Sequence, residues 1–169
     1  RTQRTQILYV GTVKELGARR YYYESSPEFF GSIFEIYNKI SKYKNIFELI
    51  VRIRDVPNEI NDEILNNAFE DLNDFITLRN ETSLDNEINN CDCMISYSST
   101  VLEEGLENKK PVMCYGLPEY NHLINYENIK IKRTQEIHFK NNNLKLIEDC
   151  LNKKFIYKNL PRRNLDNVY

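Results

Sequence analysis

No apolar run in this chain approaches the roughly 20 residues that a spanning helix needs, and no signal peptide is visible. The expectation is a cytoplasmic protein, with association at a membrane surface left open. Charge of one sign never forms a long block: 23 Lys and Arg against 25 Asp and Glu leave a net charge of −2. A nucleic-acid partner would want a basic stripe, so none is expected. Four cysteines in 169 residues do not make a disulfide scaffold. Cys91, Cys93, Cys114 and Cys150 lack paired metal-ligand spacing, and only His122 and His138 could complete a set, so they read as reduced, mostly buried thiols. There is no internal repeat, and Asn141-Asn-Asn143 reads as a turn.

What remains is one domain's worth of chain with enough apolar residues for a core. Ile7-Leu-Tyr-Val-Gly-Thr12 is a short apolar run ending in a glycine, as a buried parallel strand runs into a turn. Residues 13–23 have no clear period and read as a loop. Ser25 and Ser26 before Pro27 then signal a helix start, since a serine hydroxyl can cap free amides and proline is tolerated in a first turn. From there Phe29, Phe30, Ile33, Phe34, Ile36, Tyr37, Ile40 and Tyr43 share one side of a helix.

Further along, strands are expected at residues 47–54, 74–78, 92–96 and 111–115, with a last one at 129–132. Helices are expected at residues 59–69, from Ser83, at 100–108 and at 144–151. Strand and helix alternate with short connections, the pattern of βαβ units. The fold class is therefore α/β, a Rossmann-like, doubly wound, mainly parallel sheet with helices on both faces. Residues 1–152 form this domain, and residues 153–169 read as a polar tail that crosses to a partner domain.

In such sheets a ligand sits beyond the carboxyl ends of the strands. The most informative turn is Asp92-Cys-Met-Ile-Ser-Tyr-Ser-Ser-Thr-Val-Leu-Glu-Glu-Gly-Leu106. A strand ends near Ser96, Ser98, Ser99 and Thr100 make the turn, and a helix begins at once. Amides, hydroxyls and the positive end of the helix dipole there suit a phosphate or diphosphate. The competing structural account is that Ser99 or Thr100 caps the helix, with Thr100 and Glu103 at capping-box spacing. Glu104, at the border of the face carrying Val101, Leu102, Gly105 and Leu106, is placed to accept hydrogen bonds from a ribose.

Residues 83–112, with their aspartate, apolar strand, small-residue turn, glutamate before a small residue and then Lys110-Pro-Val112, resemble the donor-binding, carboxyl-terminal half of GT-B glycosyltransferases. Bacterial surface-polysaccharide enzymes and the non-hydrolysing nucleotide-sugar 2-epimerases share the pattern. The resemblance implies that Ser98, Ser99 and Thr100 contact a nucleotide diphosphate and that Glu104 takes the ribose hydroxyls. It also places Gly11 and Thr12 near the donor. Arg54 falls where many members have a histidine, and it or Arg52 would clamp the diphosphate.

The function implied is the nucleotide-sugar-binding half of a metal-independent GT-B glycosyltransferase in glycan or surface-polysaccharide synthesis. No cofactor is expected, because the Asp-x-Asp signature of metal-dependent relatives has only Asp85-Asn-Glu87 as an approximation, inside an expected helix. The glycan or lipid-linked acceptor would be held by a second domain or chain, expected before Arg1. A nucleotide-sugar 2-epimerase is the enzymatic alternative, although its relatives favour Ser-Gly-Gly in the turn. A non-catalytic α/β scaffold is the other. Tyr97 and Tyr115 are the tyrosines best placed to stack a base or sugar, His122 could face the same crevice, and Arg19 and Arg20 could add positive potential.

Overall fold

A computed structural model of the chain describes residues 3–11, 13, 24–53, 60–97, 99–116, 131–132, 142–156 and 162–163. Five strands form one parallel sheet: β1 (Thr5–Gly11), β2 (Phe47–Ile53), β3 (Ile76–Leu78), β4 (Cys93–Ser96) and β5 (Val112–Cys114). Their spatial order is β3-β2-β1-β4-β5. Among the described residues five α-helices alternate with them or follow: α1 (Ser26–Ile40), α2 (Asp62–Phe69), α3 (Leu84–Asn90), α4 (Val101–Glu107) and α5 (Asn142–Leu151). The fold is a Rossmann-like α/β domain, as the alternation implies.

Right-handed crossovers dictate the layers. The chain steps from β1 to β2 to β3 in one direction, which puts α1 and α2 on one face, and α5 joins them there. Phe29, Ile33, Ile36, Leu65, Phe69, Leu144 and Ile147 pack on that side against Ile7, Tyr9, Leu49 and Val51. The chain then returns over the opposite face to β4 and steps away to β5. Ile88, Val101, Leu102 and Leu106 from α3 and α4 cover Leu8, Val10, Ile50 and Met94 there. Successive β1 residues thus enter different cores, and the near-continuous apolar run follows from burial on both faces.

Local chemistry sets the helix starts. Ser25, with extended backbone, caps α1, its hydroxyl accepting from the Glu28 amide while the Glu28 carboxylate accepts from the Ser25 amide at 2.7 Å. Asn61 caps α2 by accepting from the Ile64 amide at 2.8 Å, so that helix starts at Asp62 and not at Glu59. Ser83 caps α3, as expected. The Tyr9 hydroxyl donates to the buried Glu24 on the α1 side, and burial first, then that carboxylate, pushes the phenol well above its ordinary range.

Two regions add to the sequence reading. Of the last expected strand, Ile131 and Lys132 are described: they form β6 (Ile131–Lys132), which among the described residues pairs antiparallel with β7 (Arg162–Arg163) and not with the main sheet, while residues 129 and 130 lie outside the described residues. The beginning of the tail finds partners inside the domain. Phe155 is buried, its amide donates to the buried Glu148 carboxylate at 3.0 Å, and Ile156 bridges the edge strand at Val112. Cys91, Cys93 and Cys114 are buried, and burial pushes the Cys91 thiol up to about 12 and that of Cys114 to about 11.

Candidate functional site

Strand order changes direction between β1 and β4, which defines a topological switch point at their carboxyl ends. Both turns singled out in the sequence meet there. β1 ends at Gly11 and β4 at Ser96, and the Ser96 hydroxyl donates to the Val10 carbonyl at 2.7 Å. This buried bond, between residues 86 apart, fixes the two strand ends side by side. Sequence reading missed Ser96, because nothing local distinguishes it from the serines that follow.

Gly11 is small for a packing reason. A Cβ there would lie 2.6 Å from Phe29 Cε2, so α1 rests directly on the end of β1. The head of α1 is itself tied to the β4 turn: Glu28 accepts from the Tyr97 hydroxyl at 3.0 Å. Burial raises the Glu28 pKa, but the Ser25 amide and hydroxyl and the Tyr97 hydroxyl outweigh it and hold the carboxyl below its ordinary range. Glu28 and Tyr97 are the second feature that the sequence did not disclose.

At α4 the expected capping arrangement is replaced by another. Thr100 has helical backbone, at φ −62° and ψ −16°, and its side chain makes no capping bond. The buried Ser99 caps instead: its hydroxyl accepts from the Val101 amide at 3.2 Å, while its own amide donates to Ser96 Oγ at 3.3 Å. The Thr100–Glu103 box is therefore not formed, and Ser99 is committed to the fold. Thr100 is exposed at the mouth of the turn. Glu104 is exposed, whereas Glu103 is half-buried. Both lie equally far from the centre of the buried arc made by Val101, Leu102, Gly105 and Leu106, so the helical wheel could not rank them.

Much of the remaining pattern in residues 83–112 is architectural. Asp92, at the opposite end of β4, accepts from the Gln6 amide at 2.7 Å and sets the register with β1. Gly105 lets α4 approach the sheet, since a Cβ there would strike Met94 Sδ and lie 2.9 Å from Val112 Cγ1. Lys110 donates to the Asn89 and Cys91 carbonyls at 2.9 and 2.7 Å, closing the end of α3. Removing these from the list leaves Thr100 and Glu104 as the described, exposed residues of the motif.

Arg52 is also engaged. On β2 beside Val10, its guanidinium donates to the Thr82 carbonyl just ahead of α3, and the Thr82 hydroxyl donates to the buried Glu87, which Arg79 approaches at 3.5 Å. It positions the entry to α3. Tyr97 and Tyr115 are both buried, so neither offers an open ring for stacking. The Lys153 ammonium lies 4.6 Å from the centre of the Tyr115 ring and donates to the Tyr115 and Gly116 carbonyls, the latter at 3.0 Å. Thr12, Arg19, Arg20, Arg54, Ser98, His122 and His138 lie outside the described residues. Among the described residues no group of three or more His, Cys, Asp or Glu is placed to hold a metal ion.

These elements define a parallel, doubly wound α/β domain with two small-residue turns meeting at its switch point. No protein-family model and no curated protein matches the sequence. Among solved structures, the chain is similar to S. aureus MnaA in a co-structure with UDP, at 17% identity and a TM-score of 0.44 over 64% of this chain. It is also similar to a Listeria monocytogenes protein described as a UDP-N-acetylglucosamine 2-epimerase, at 18% identity and a TM-score of 0.42, again over 64% of this chain. The match covers 27% of each of those chains, so this chain spans about a quarter of their length.

Proposed function

We propose that this chain is the nucleotide-sugar-binding half of a GT-B-type glycosyltransferase, receiving the donor's diphosphate at the switch point between β1 and β4. The observation that carries this reading is the Ser96 to Val10 hydrogen bond, which brings the Gly11 turn and the Ser99–Thr100 turn together where doubly wound sheets take their ligands. Thr100, with Ser98 two positions before it in sequence, donates to the diphosphate. Glu104, one turn further along α4, accepts from the ribose hydroxyls. Gly11 forms the close wall on the β1 side, and Thr12, next in sequence, is assigned to the donor with it. Arg54 offsets the charge of the departing diphosphate, and Arg52 acts indirectly by holding the entry to α3. No metal is assigned a role. The acceptor, a glycan or lipid-linked glycan, is held by a second domain or chain.

A nucleotide panel tests the reading by thermal shift and calorimetry. A bound nucleotide at a hundred times its Kd adds about 2.7 kcal/mol of stability. The expected result is a shift with nucleoside diphosphates and their sugar conjugates, reduced by Glu104→Ala. A chain blind to every diphosphate is instead a scaffold. Epimerisation of a free nucleotide sugar with no acceptor present would replace transfer by 2-epimerisation.

A further inference from the structure

Tyr97 follows directly on β4, where the strand gives way to the turn before α4, and it is held from several directions. Its hydroxyl donates to Glu28 Oε1, at the head of α1, over 3.0 Å. Its carbonyl accepts from the Gly116 amide at 2.8 Å and from the Cys114 thiol at 3.2 Å, so the exit of β5 grips its backbone. Gly116 has to be small for this, because a Cβ there would lie 2.5 Å from the Tyr97 carbonyl oxygen. The Lys153 ammonium in turn braces the Gly116 carbonyl at 3.0 Å. The head of α1, the exit of β5 and the chain after α5 therefore converge on one residue of the α4 turn.

Packing alone does not call for the hydroxyl. The ring is buried, and a phenylalanine would fill the same space. What the hydroxyl adds is a tie between residues 69 apart, from the α4 turn to the helix that follows β1. A hydrogen bond to a carboxylate is stronger than one between neutral groups and fixes direction more firmly. It also leaves Glu28 engaged on both oxygens, since Oε2 takes the Ser25 amide at 2.7 Å. An anion site made of hydroxyls and amides binds more tightly when its donors are already in place, because less freedom is lost on binding. The exposed Thr100, three residues after Tyr97, is such a donor.

We propose that Tyr97 is a positioning residue of the nucleotide site: through its bond to Glu28 it fixes the stem of the α4 turn and makes diphosphate affinity depend on the head of α1. The assignment rests on the switch point being the nucleotide site. Tyr97 is buried and acts through the turn that follows it, without touching the phosphates.

Calorimetric titration of the whole chain with UDP, ADP and GDP, at a temperature where every variant is folded, tests it. The wild type is expected to bind at least one of them, and Tyr97→Phe to bind it about fivefold more weakly at unchanged stoichiometry. Glu28→Ala should lose about as much, and the double variant no more than either, because the same bond is removed each time. Ile40→Val, which thins the core at the far end of α1 and touches none of these residues, should lower the Tm and leave affinity within about twofold. Absence of binding by the wild type overturns the nucleotide site itself. Binding by the wild type with Tyr97→Phe unchanged, losses that multiply in the double variant, or an equal loss in Ile40→Val overturns the positioning role alone.

Discussion

Ser25 and Glu28 at the head of α1 have the same spacing as Thr100 and Glu103 at the head of α4, yet only the first pair closes into a capping box. The difference lies in the residue before each helix. Ser25 is extended, at φ −78° and ψ 164°, and turns its hydroxyl back onto the helix. Thr100 is already helical, because Ser99 has taken over the capping one position earlier. The head of α1 is thereby sealed with its own carboxylate, and the head of α4 is capped by a neutral hydroxyl. An incoming anion meets a capping carboxylate at the first and an exposed threonine at the second, where Glu103 and Glu104 follow within the first turn without capping it. Spacing alone cannot express that distinction, which depends on where the preceding strand stops.

The comparison can be broken first at the two glycines on which the helices rest. Gly11→Ala forces a methyl against the buried, inflexible Phe29 ring, and Gly105→Ala forces one against Met94 and Val112. Each should cost about 1–3 kcal/mol in urea unfolding, with Gly11→Ala the larger because a thioether yields more easily than a ring. Ser96→Ala comes next, at about 1 kcal/mol for one buried hydrogen bond. Unlike the glycine variants, it also uncouples the two turns, so nucleotide affinity should fall with stability.

Glu28→Gln sharpens the contrast through pH. Because the folded state holds the Glu28 carboxyl below its ordinary value, its contribution is present above the unfolded carboxylate pKa of about 4.3 and is lost as pH falls through the lower folded value. The variant should therefore lose about 0.5–1 kcal/mol at neutral pH, discounted for exposure, and show a flatter acid limb in unfolding titrations. The smallest effect belongs to Thr100→Ala. With no capping bond to lose, it should move stability by less than about 0.5 kcal/mol, where a true N-cap would cost about 1.

What was legible in the sequence was local. Apolar runs marked β1, β2 and β4, serines marked the starts of α1 and α3, and the alternation implied a doubly wound sheet. What was not legible spans the fold: Ser96 reaching Val10, Tyr97 reaching Glu28 and Arg52 reaching Thr82 are contacts made only after the sheet assembles. The same limit applies to the motif in residues 83–112. Its aspartate, glycine and lysine could be read as one functional signature, but the structure gives each a separate architectural task.

The central claim is that the α4 side of the switch point, and not the α1 side, receives a nucleotide. Calorimetric titration with nucleoside diphosphates, comparing the wild-type chain with Glu104→Ala, tests it most directly. The account predicts measurable binding by the wild type and an affinity lower by about tenfold in the variant, about 1.4 kcal/mol, with an unchanged Tm. Absence of diphosphate binding, or identical affinities in the two proteins, would contradict it.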